Sequence, residues 1–280
     1  GFGEDSQIWE KQVAVLKNQY QLLIPDLPGT GQSPMQSSLS MESMADEILE
    51  ILEKEKIKSL VILGHSMGGY ITLAFAEKYP ERLRGFGLLH STGFADPEAK
   101  KEARTKSINF IRENGSAAFL QTATANLFAP ANRESMVKTI DKIINDNTYI
   151  LPESLAAFLE AMKARPDRTE ILKKATVPVL FIVGKEDQAV PFADTMQQVH
   201  LPELSYIYIL QHSGHMGMLE ETEKFTGVPA AELVDTRTDL TAHSPVTQQH
   251  LAAGGMPALA LAEATQTTSD NAAANLLLRL

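Results

Sequence analysis

The chain has 280 residues, of which 44% are hydrophobic and 21% charged, with a formal net charge of −10 and no cysteine. These values exclude a disulfide framework, a thiolate zinc site and a cysteine nucleophile, and they argue against a nucleic-acid or anionic-membrane partner. Because the sequence also lacks a secretory signal and an apolar run near the roughly 18 residues that span a bilayer, we expect a cytoplasmic protein that acts on small molecules.

The first predicted elements are a strand, a loop and a helix. Residues 20–26, "YQLLIPD", form a short apolar run that predicts a strand, and "LPGTGQS" after it predicts a Pro/Gly loop. Met44, Ile48 and Leu52 then recur at helical spacing. Ser40 precedes them at the position of a helix N-cap.

A strand, a tight turn and a helix follow in residues 59–80, "SLVILGHSMGGYITLAFAEKYP", with Ser66 at the apex of the turn. Further apolar strands are predicted in "LRGFGLLH", "VPVLFIVG" and "SYIYIL". Continuous apolar strands that alternate with helices indicate a parallel sheet covered on both faces, which is the α/β class. From about residue 95 to 176 only helical segments are predicted, as an insertion over the strand ends.

The turn reads G-x-S-x-G from Gly64 to Gly68. Between a strand and a helix this pattern indicates an exposed nucleophile, here Ser66, although a merely structural turn is the alternative. We expect small residues two positions before and two after the serine because the turn brings backbone segments close together. The Oγ atom then lies near the positive end of the following helix.

A serine nucleophile needs a base and an orienting carboxylate, which we expect after later strands. Asp187 follows "VLFIVG" and His215 follows "SYIYIL". Glu186 is an alternative acid. His212 suggests a metal pair with His215, but it has no third ligand nearby, so we predict no metal. The remaining histidines are expected to take no catalytic part; His65 packs beside the turn, and the others are His90, His200, His243 and His250.

Residues 1 to about 225 resemble the α/β-hydrolase superfamily, in which serine, acid and histidine occur in this order at these strand ends. "PDLPGTGQS" and "GKEDQAVP" are typical of its esterase and lactonase-like members. The resemblance implies an α/β-hydrolase-like, mostly parallel sheet with a helical cap at about 95–170. It favours Asp187 over Glu186 as the acid and implies no cofactor.

The resemblance also implies an oxyanion hole made by two backbone N–H groups. Met67, next to the nucleophile, supplies one, and Phe2 in "GFG" supplies the other by similarity to the H-G-x-G loop of the family. The chain begins inside that loop. We therefore expect an N-terminally truncated sheet in which "YQLLIPD" and "LVILGHS" lose their shared neighbour. Another chain could supply a complementing N-terminal fragment, the sheet could close up differently, or the assembly is crippled.

The end of the chain has a different resemblance. Residues 239–278 resemble a helical segment of class A β-lactamases, with Ser269-Asp270-Asn271 matching their S-D-N motif. That family acylates a serine in S-x-x-K and carries a K-T-G strand downstream. Ser135 to Lys138 spells S-x-x-K but falls in the cap, so we interpret it as coincidence, and no K-T-G follows.

These resemblances predict a hydrolase-like domain at 1–226 joined to a β-lactamase-like helical fragment without a site at 227–280, as in a chimera. The predicted function is that of a serine hydrolase that cleaves a small ester or lactone through an acyl-enzyme. A carbon–carbon hydrolase or lyase on the same fold and a non-catalytic chimeric scaffold with an incomplete site are the alternatives. An apolar cap favours a small hydrophobic substrate; its residues include Phe110, Phe119, Phe128, Phe158 and Met162.

Overall fold

The computed structural model describes residues 1–227. Within them, four parallel strands form one sheet in the order β1-β2-β3-β4. All four strands were predicted from the sequence. The strands are β1 (Leu60–His65), β2 (Leu83–Leu89), β3 (Val179–Gly184) and β4 (Ser205–Leu210). Predictions for the C-terminal fragment, Ser269–Asn271, His243 and His250 lie outside the described residues.

The register brings the carboxyl ends of the strands to one edge of the sheet. His65 pairs with Leu89, Leu89 pairs with Ile182, and Gly184 pairs with Leu210. The loops that leave these strand ends therefore meet above the same edge, where ligands of open α/β sheets bind.

Ten α-helices surround this sheet in the described residues, and four of them, α4 to α7, come between β2 and β3, in agreement with the helical segments predicted there. α4 contains a kink at Gly115, whose φ is +84°. The helices are α1 (Glu10–Leu16), α2 (Met41–Lys54), α3 (Met67–Lys78), α4 (Glu98–Ala123), α5 (Val137–Asn147), α6 (Pro152–Ala164), α7 (Thr169–Lys173), α8 (Phe192–Met196), α9 (Gly217–Glu220) and α10 (Thr222–Gly227). No helix in residues 1–227 is long and apolar enough to cross a bilayer.

The local sequence explains where α2 begins and which face it buries. Ser40 is its N-cap: the Ser40 side chain accepts a hydrogen bond from the Ser43 backbone N–H, and the Ser43 side chain accepts one from the Ser40 N–H. This reciprocal pair satisfies donors that a helix start leaves free. Met44 and Leu52 on the apolar face are fully buried.

The sheet separates two hydrophobic clusters, as a strand period of two requires. Val179, Phe181 and Val183 of β3 pack into the cluster beneath α2 and α3. Leu180 and Ile182 point to the opposite face, where they join Phe225. Both faces of the sheet are therefore covered, which explains why its inner strands are continuous apolar runs.

The strand predicted in residues 20–26 does not form, so that prediction was wrong. This segment has no regular secondary structure. A strand needs a neighbouring strand for its backbone hydrogen bonds, and among the described residues β1 pairs with β2 alone, so residues 20–26 have no strand partner there.

Between residues 20–25 and β1 lies a cavity of about 530 Å³, which we call the edge groove. Trp9 lines it, with its ring 6.1 Å from that of Phe225 and 6.2 Å from that of His65. Thr226, next to the last described residue, is also on its wall.

Candidate active site

Ser66 lies at the turn between β1 and α3, with φ +52° and ψ −116°. A positive φ is rare for a residue other than glycine and marks backbone strain, which is often found at functional positions. Ser91 fixes the turn: its hydroxyl donates a hydrogen bond of 2.7 Å to the Ser66 carbonyl oxygen. The Ser66 side chain is thereby held above the carboxyl end of β1.

The glycine positions of the turn that lack room for a side chain differ from those that the motif predicts. A Cβ atom on Gly64 would lie 2.2 Å from the Gly68 carbonyl oxygen, so position 64 requires glycine. A Cβ atom on Gly68 would meet no atom within 4 Å, whereas one on Gly69 would lie 2.2 Å from the Ser91 hydroxyl. The expected requirement for a small residue two positions after the serine was therefore misplaced by one: Gly69 makes the close approach.

The structure brings together Ser66, Asp187 and His215. The Ser66 Oγ atom lies 2.8 Å from Nε2 of His215, and Nδ1 of His215 lies 2.8 Å from Oδ2 of Asp187. In this arrangement the serine hydroxyl donates to one ring nitrogen while the other donates to the carboxylate. Such a chain can remove the hydroxyl proton as the serine attacks a carbonyl carbon.

Asp187 is fixed by the loop that follows β3. Its Oδ1 atom accepts hydrogen bonds of 2.9 Å from the backbone N–H groups of both Ala189 and Val190. Burial raises the pKa of Asp187, but attraction to His215 and the hydrogen bonds from the neighbouring histidines hold it well below its usual range. The carboxylate is therefore ionised at neutral pH. Glu186, the rival acid, is exposed.

Backbone contacts hold the loop that carries His215. Its N–H donates 2.7 Å to the Leu127 carbonyl oxygen in the insertion, and its own carbonyl oxygen lies 2.9 Å from Nε2 of His65. Glu220 accepts hydrogen bonds from the backbone N–H groups of Gly214 and Met216. The helical insertion and α9 therefore both orient the histidine.

Glu220 was missed in the sequence. Its second carboxylate oxygen lies 2.8 Å from the Ala129 N–H and 2.8 Å from the Asn132 side-chain amide. One carboxylate thus joins the His215 loop to the insertion across 91 residues of chain. No local motif identifies such a contact.

His65 is a buried neighbour of the site, as the sequence predicts. Burial lowers its pKa to about 4, although the Glu4 carboxylate, 3.5 Å from Nδ1, opposes this change. His65 is therefore neutral at pH 7, and its Nε2–H can donate to the His215 carbonyl. Its ring centroid lies 5.0 Å from that of His215.

His90, expected to take no catalytic part, lies against the same carboxylate. Its Nδ1 atom is 3.2 Å from Oδ2 of Asp187. The signal that indicated Asp187 and His215 was a polar residue in the segment after an apolar strand. It also applies to His90, which follows Leu89 at the end of β2.

His90, Asp187 and His215 form a group in which one ligand atom from each residue lies within 4.8 Å of the others, and it is the one such group in residues 1–227. Two imidazoles and a carboxylate are a donor set that transition metals accept. Hydrogen bonds of 2.8 and 3.2 Å already join these atoms, and Nε2 of His215 faces Ser66. Hydrogen bonding accounts for their closeness, so we assign no metal to them.

The other predicted site residues are distributed as follows. Met67 is the first residue of α3, with Ser66 as N-cap, so its N–H belongs to the free donors of the helix start. Phe2 packs edge-to-face on Phe119 with ring centroids 5.9 Å apart. His200 and His212 are exposed.

The S-x-x-K residues and the apolar cap residues do not assemble into a visible site. Ser135 and Lys138 are both exposed. Among the five apolar cap residues, Phe158 and Met162 belong to the main hydrophobic cluster, and Phe110 is 38% exposed. These three therefore serve as packing and surface groups, and they give no information about a substrate.

Comparison with known proteins gives the family of the chain. The family model for the alpha/beta hydrolase fold matches residues 1–222. The chain belongs to the α/β-hydrolase fold family. It is 30% identical over 229 residues to the pimeloyl-[acyl-carrier protein] methyl ester esterase of Legionella pneumophila, covering 80% of this chain and 89% of the relative. It is 24% identical over 224 residues to 3-oxoadipate enol-lactonase 2 of Acinetobacter baylyi, covering 80% and 82%.

A solved structure gives the same family relationship. The thermophilic esterase of Thermogutta terrifontis superposes with a TM-score of 0.77 at 28% identity, covering 81% of this chain and 84% of the esterase. This α/β hydrolase is therefore esterase-like in sequence as well as in fold. The family match ends at residue 222, within the described part of the chain.

Proposed function

We propose that this chain is a serine hydrolase that cleaves a small ester or lactone. The observation that carries the proposal is the chain of two contacts, each of 2.8 Å, from Ser66 through His215 to Asp187. This arrangement is the one that acyl transfer through a serine requires. Its members come from three loops at the carboxyl edge of the sheet.

Each member has one role in the proposed reaction. Ser66 attacks the carbonyl carbon while its proton passes to Nε2 of His215, and the imidazolium then protonates the leaving alcohol. Water, activated by the same nitrogen, releases the acyl group and restores Ser66. Asp187 holds the imidazole in the required tautomer and stabilises its charge, and no cofactor enters the reaction.

The attacked carbonyl oxygen becomes negative and needs preorganised donors, each worth about 3 kcal/mol in transition-state stabilisation. We assign these to the backbone N–H groups of Met67 and Phe2. The position of Met67 at the start of α3 supports the first assignment. Gly3, with φ +72°, supports the second because it turns the chain directly after Phe2.

The names of the relatives support the substrate class. One is an esterase that acts on a methyl ester and another an enol-lactonase, so both ester and lactone hydrolysis occur in similar proteins. Both substrates present a carbonyl carbon to the nucleophile and release an alcohol or enol oxygen. We therefore propose a small ester or lactone as the substrate.

A fluorophosphonate probe tests the proposed nucleophile, since it labels only activated serines. The purified chain and its Ser66→Ala, Ser135→Ala and Ser269→Ala variants are treated with the probe, and the labelled peptide is located by mass spectrometry. We expect label on Ser66 in every protein except Ser66→Ala. Absence of label on a folded wild-type chain, or label on Ser269 or Ser135, would contradict the proposal.

The edge groove supports a further part of the proposal, a complementing N-terminal fragment as partner. The outer side of β1 faces a cavity lined largely by apolar residues, and Leu63 on this strand is 37% exposed. A strand bound there would satisfy the backbone groups of β1. Hydrogen exchange tests it: amides of β1 should exchange much faster than those of β3 in the chain alone, and equal protection would contradict an open edge.

We further propose that residues 227–280 are a separate fragment similar in sequence to class A β-lactamases, and that the chain is a chimera. Its support is the S-D-N tripeptide and the end of the family match at residue 222. A Ser269→Ala variant should leave ester hydrolysis unchanged. Measurable β-lactam turnover that is lost in this variant would contradict a fragment without a site.

A further inference from the structure

His90 is placed at the centre of the site in a conformation that is unfavourable for a histidine. It follows β2 directly, is 1% exposed, and has φ +50°. The left-handed region of backbone conformation disfavours residues other than glycine, with asparagine, aspartate and histidine the more tolerated exceptions. Strain of this kind is retained where the surrounding structure requires it.

A second unfavourable feature concerns the ring itself. The His90 Nε2 atom is buried and finds no hydrogen-bond partner among the described residues. Gly217 approaches so closely that a Cβ atom there would lie 2.4 Å from this nitrogen. The ring also stacks on Phe225, with centroids 6.3 Å apart. An unpaired buried acceptor lowers stability, so an apolar side chain would suit packing better.

The favourable contact of the ring is the one to Asp187. Nδ1 of His90 lies 3.2 Å from Oδ2, the oxygen that also accepts from Nδ1 of His215. Oδ1 accepts from the two loop N–H groups described above. The carboxylate therefore has four donors, and the two histidines approach one oxygen from different strand ends.

We propose that His90 is a positioning residue for the active site: its Nδ1–H donates to Oδ2 of Asp187, fixing the carboxylate beneath His215 and sharing its negative charge. This inference rests on the proposed function, because it gives His90 a role through the Ser66–His215–Asp187 chain. In this proposal His90 acts through Asp187 and His215 and takes no direct part in the reaction.

The charge state of His90 agrees with a donor at Nδ1. Burial lowers the pKa of His90, and the hydrogen bond to Asp187 opposes this only in part. The ring is therefore neutral and carries one proton. The titratable groups that face it are Asp187, His215, His65, whose ring centroid is 5.9 Å away, and Glu220, whose charge also acts on it.

The test compares His90→Leu, which removes the donor and fills the space, with His90→Asn, whose amide N–H can replace Nδ1–H and which tolerates a positive φ. Hydrolysis of p-nitrophenyl butyrate is measured from pH 5 to 9, together with the thermal midpoint. We expect His90→Leu to lower kcat by about tenfold with KM little changed. Loss of a residue that hydrogen-bonds a metal-ligating side chain lowers activity by a similar factor. His90→Asn should recover most of it.

The pH profile separates positioning from packing. Without the His90 donor, the full negative charge of Asp187 acts on His215 and stabilises its imidazolium form. The acid limb of kcat/KM should therefore move to higher pH in His90→Leu and return in His90→Asn. The thermal midpoint of His90→Leu should fall only slightly, because removal of the unpaired Nε2 offsets part of the strain of a leucine at φ +50°.

Three results would overturn the inference. One is a folded His90→Leu variant with wild-type kcat and pH profile. Another is loss of activity in both variants in proportion to lost thermal stability, which would show packing alone. The third is wild-type activity that is lost in a chelator and restored by zinc. Full turnover in Ser66→Ala would instead reject the proposed function itself, and this control separates the two failures.

Discussion

The strands β1 and β3 have the same length and direction, and each leads into a residue of the proposed triad, yet their surroundings differ. Every residue of β3 is buried, whereas the first four of β1 are partly exposed. Only Gly64 and His65, at the end of β1, are as buried as β3. The site therefore lies at the buried carboxyl end of β1, and the exposed Leu63 is three residues before Ser66.

The largest effect should come from the end of β3. Asp187→Asn keeps the shape of the side chain but removes the charge that holds His215 in its tautomer, so kcat should fall by about 10⁴-fold. Glu186→Gln, one residue earlier and exposed, is the matched control and should change kcat less than twofold. Steady-state ester hydrolysis measures both. Equal losses in the two variants would place the acid elsewhere.

A difference in burial between the two strands predicts a difference in stability. Leu180→Ala empties a fully buried position of β3 and should lower the free energy of unfolding by about 2–5 kcal/mol. Leu63→Ala, at a position of β1 that is 37% exposed, should cost less than half as much. Urea unfolding compares them. A larger loss for Leu63→Ala would mean that the outer edge of β1 is covered in solution.

The two glycines around the nucleophile sharpen the comparison at the end of β1. Gly64→Ala places a Cβ atom 2.2 Å from a backbone oxygen and should lower stability by about 3 kcal/mol and displace Ser66. Gly68→Ala meets open space in the first turn of α3 and should raise stability by roughly 0.5 kcal/mol. Thermal unfolding and fluorophosphonate labelling of both variants check this. A tolerated Gly64→Ala would contradict the close approach.

The buried end of β1 also predicts an acid sensitivity. With its pKa lowered to about 4, His65 binds a proton in the unfolded chain below pH 6.5 but in the folded chain only near pH 4. Stability should therefore fall as the pH drops through this window, by about 2 kcal/mol at pH 5 from this group. In His65→Gln, which keeps an N–H donor without titration, the urea midpoint should change less between pH 7 and 5. An unchanged slope would assign the sensitivity to other groups, His90 among them.

Much of the site could be predicted because its signals are local. Ser66, Asp187 and His215 each follow a continuous apolar run, and parallel strands bring such positions to one edge. The contact of His90 with Asp187 crosses 97 residues, and the role of Glu220 depends on four donors from two segments, so no window of sequence displays them. The strand expected in residues 20–26 failed for the opposite reason. Its composition is that of a strand, but pairing is not a property of one segment.

Trp9, the one tryptophan of the chain, lines the edge groove and contacts both Phe225 and His65. Its indole is therefore an intrinsic optical reporter, free of background from any other tryptophan. Its emission should shift when a segment fills the groove and should be quenched when His65 gains a proton. One fluorescence titration can thus follow, without any attached dye, both the filling of the groove and protonation at the carboxyl end of β1.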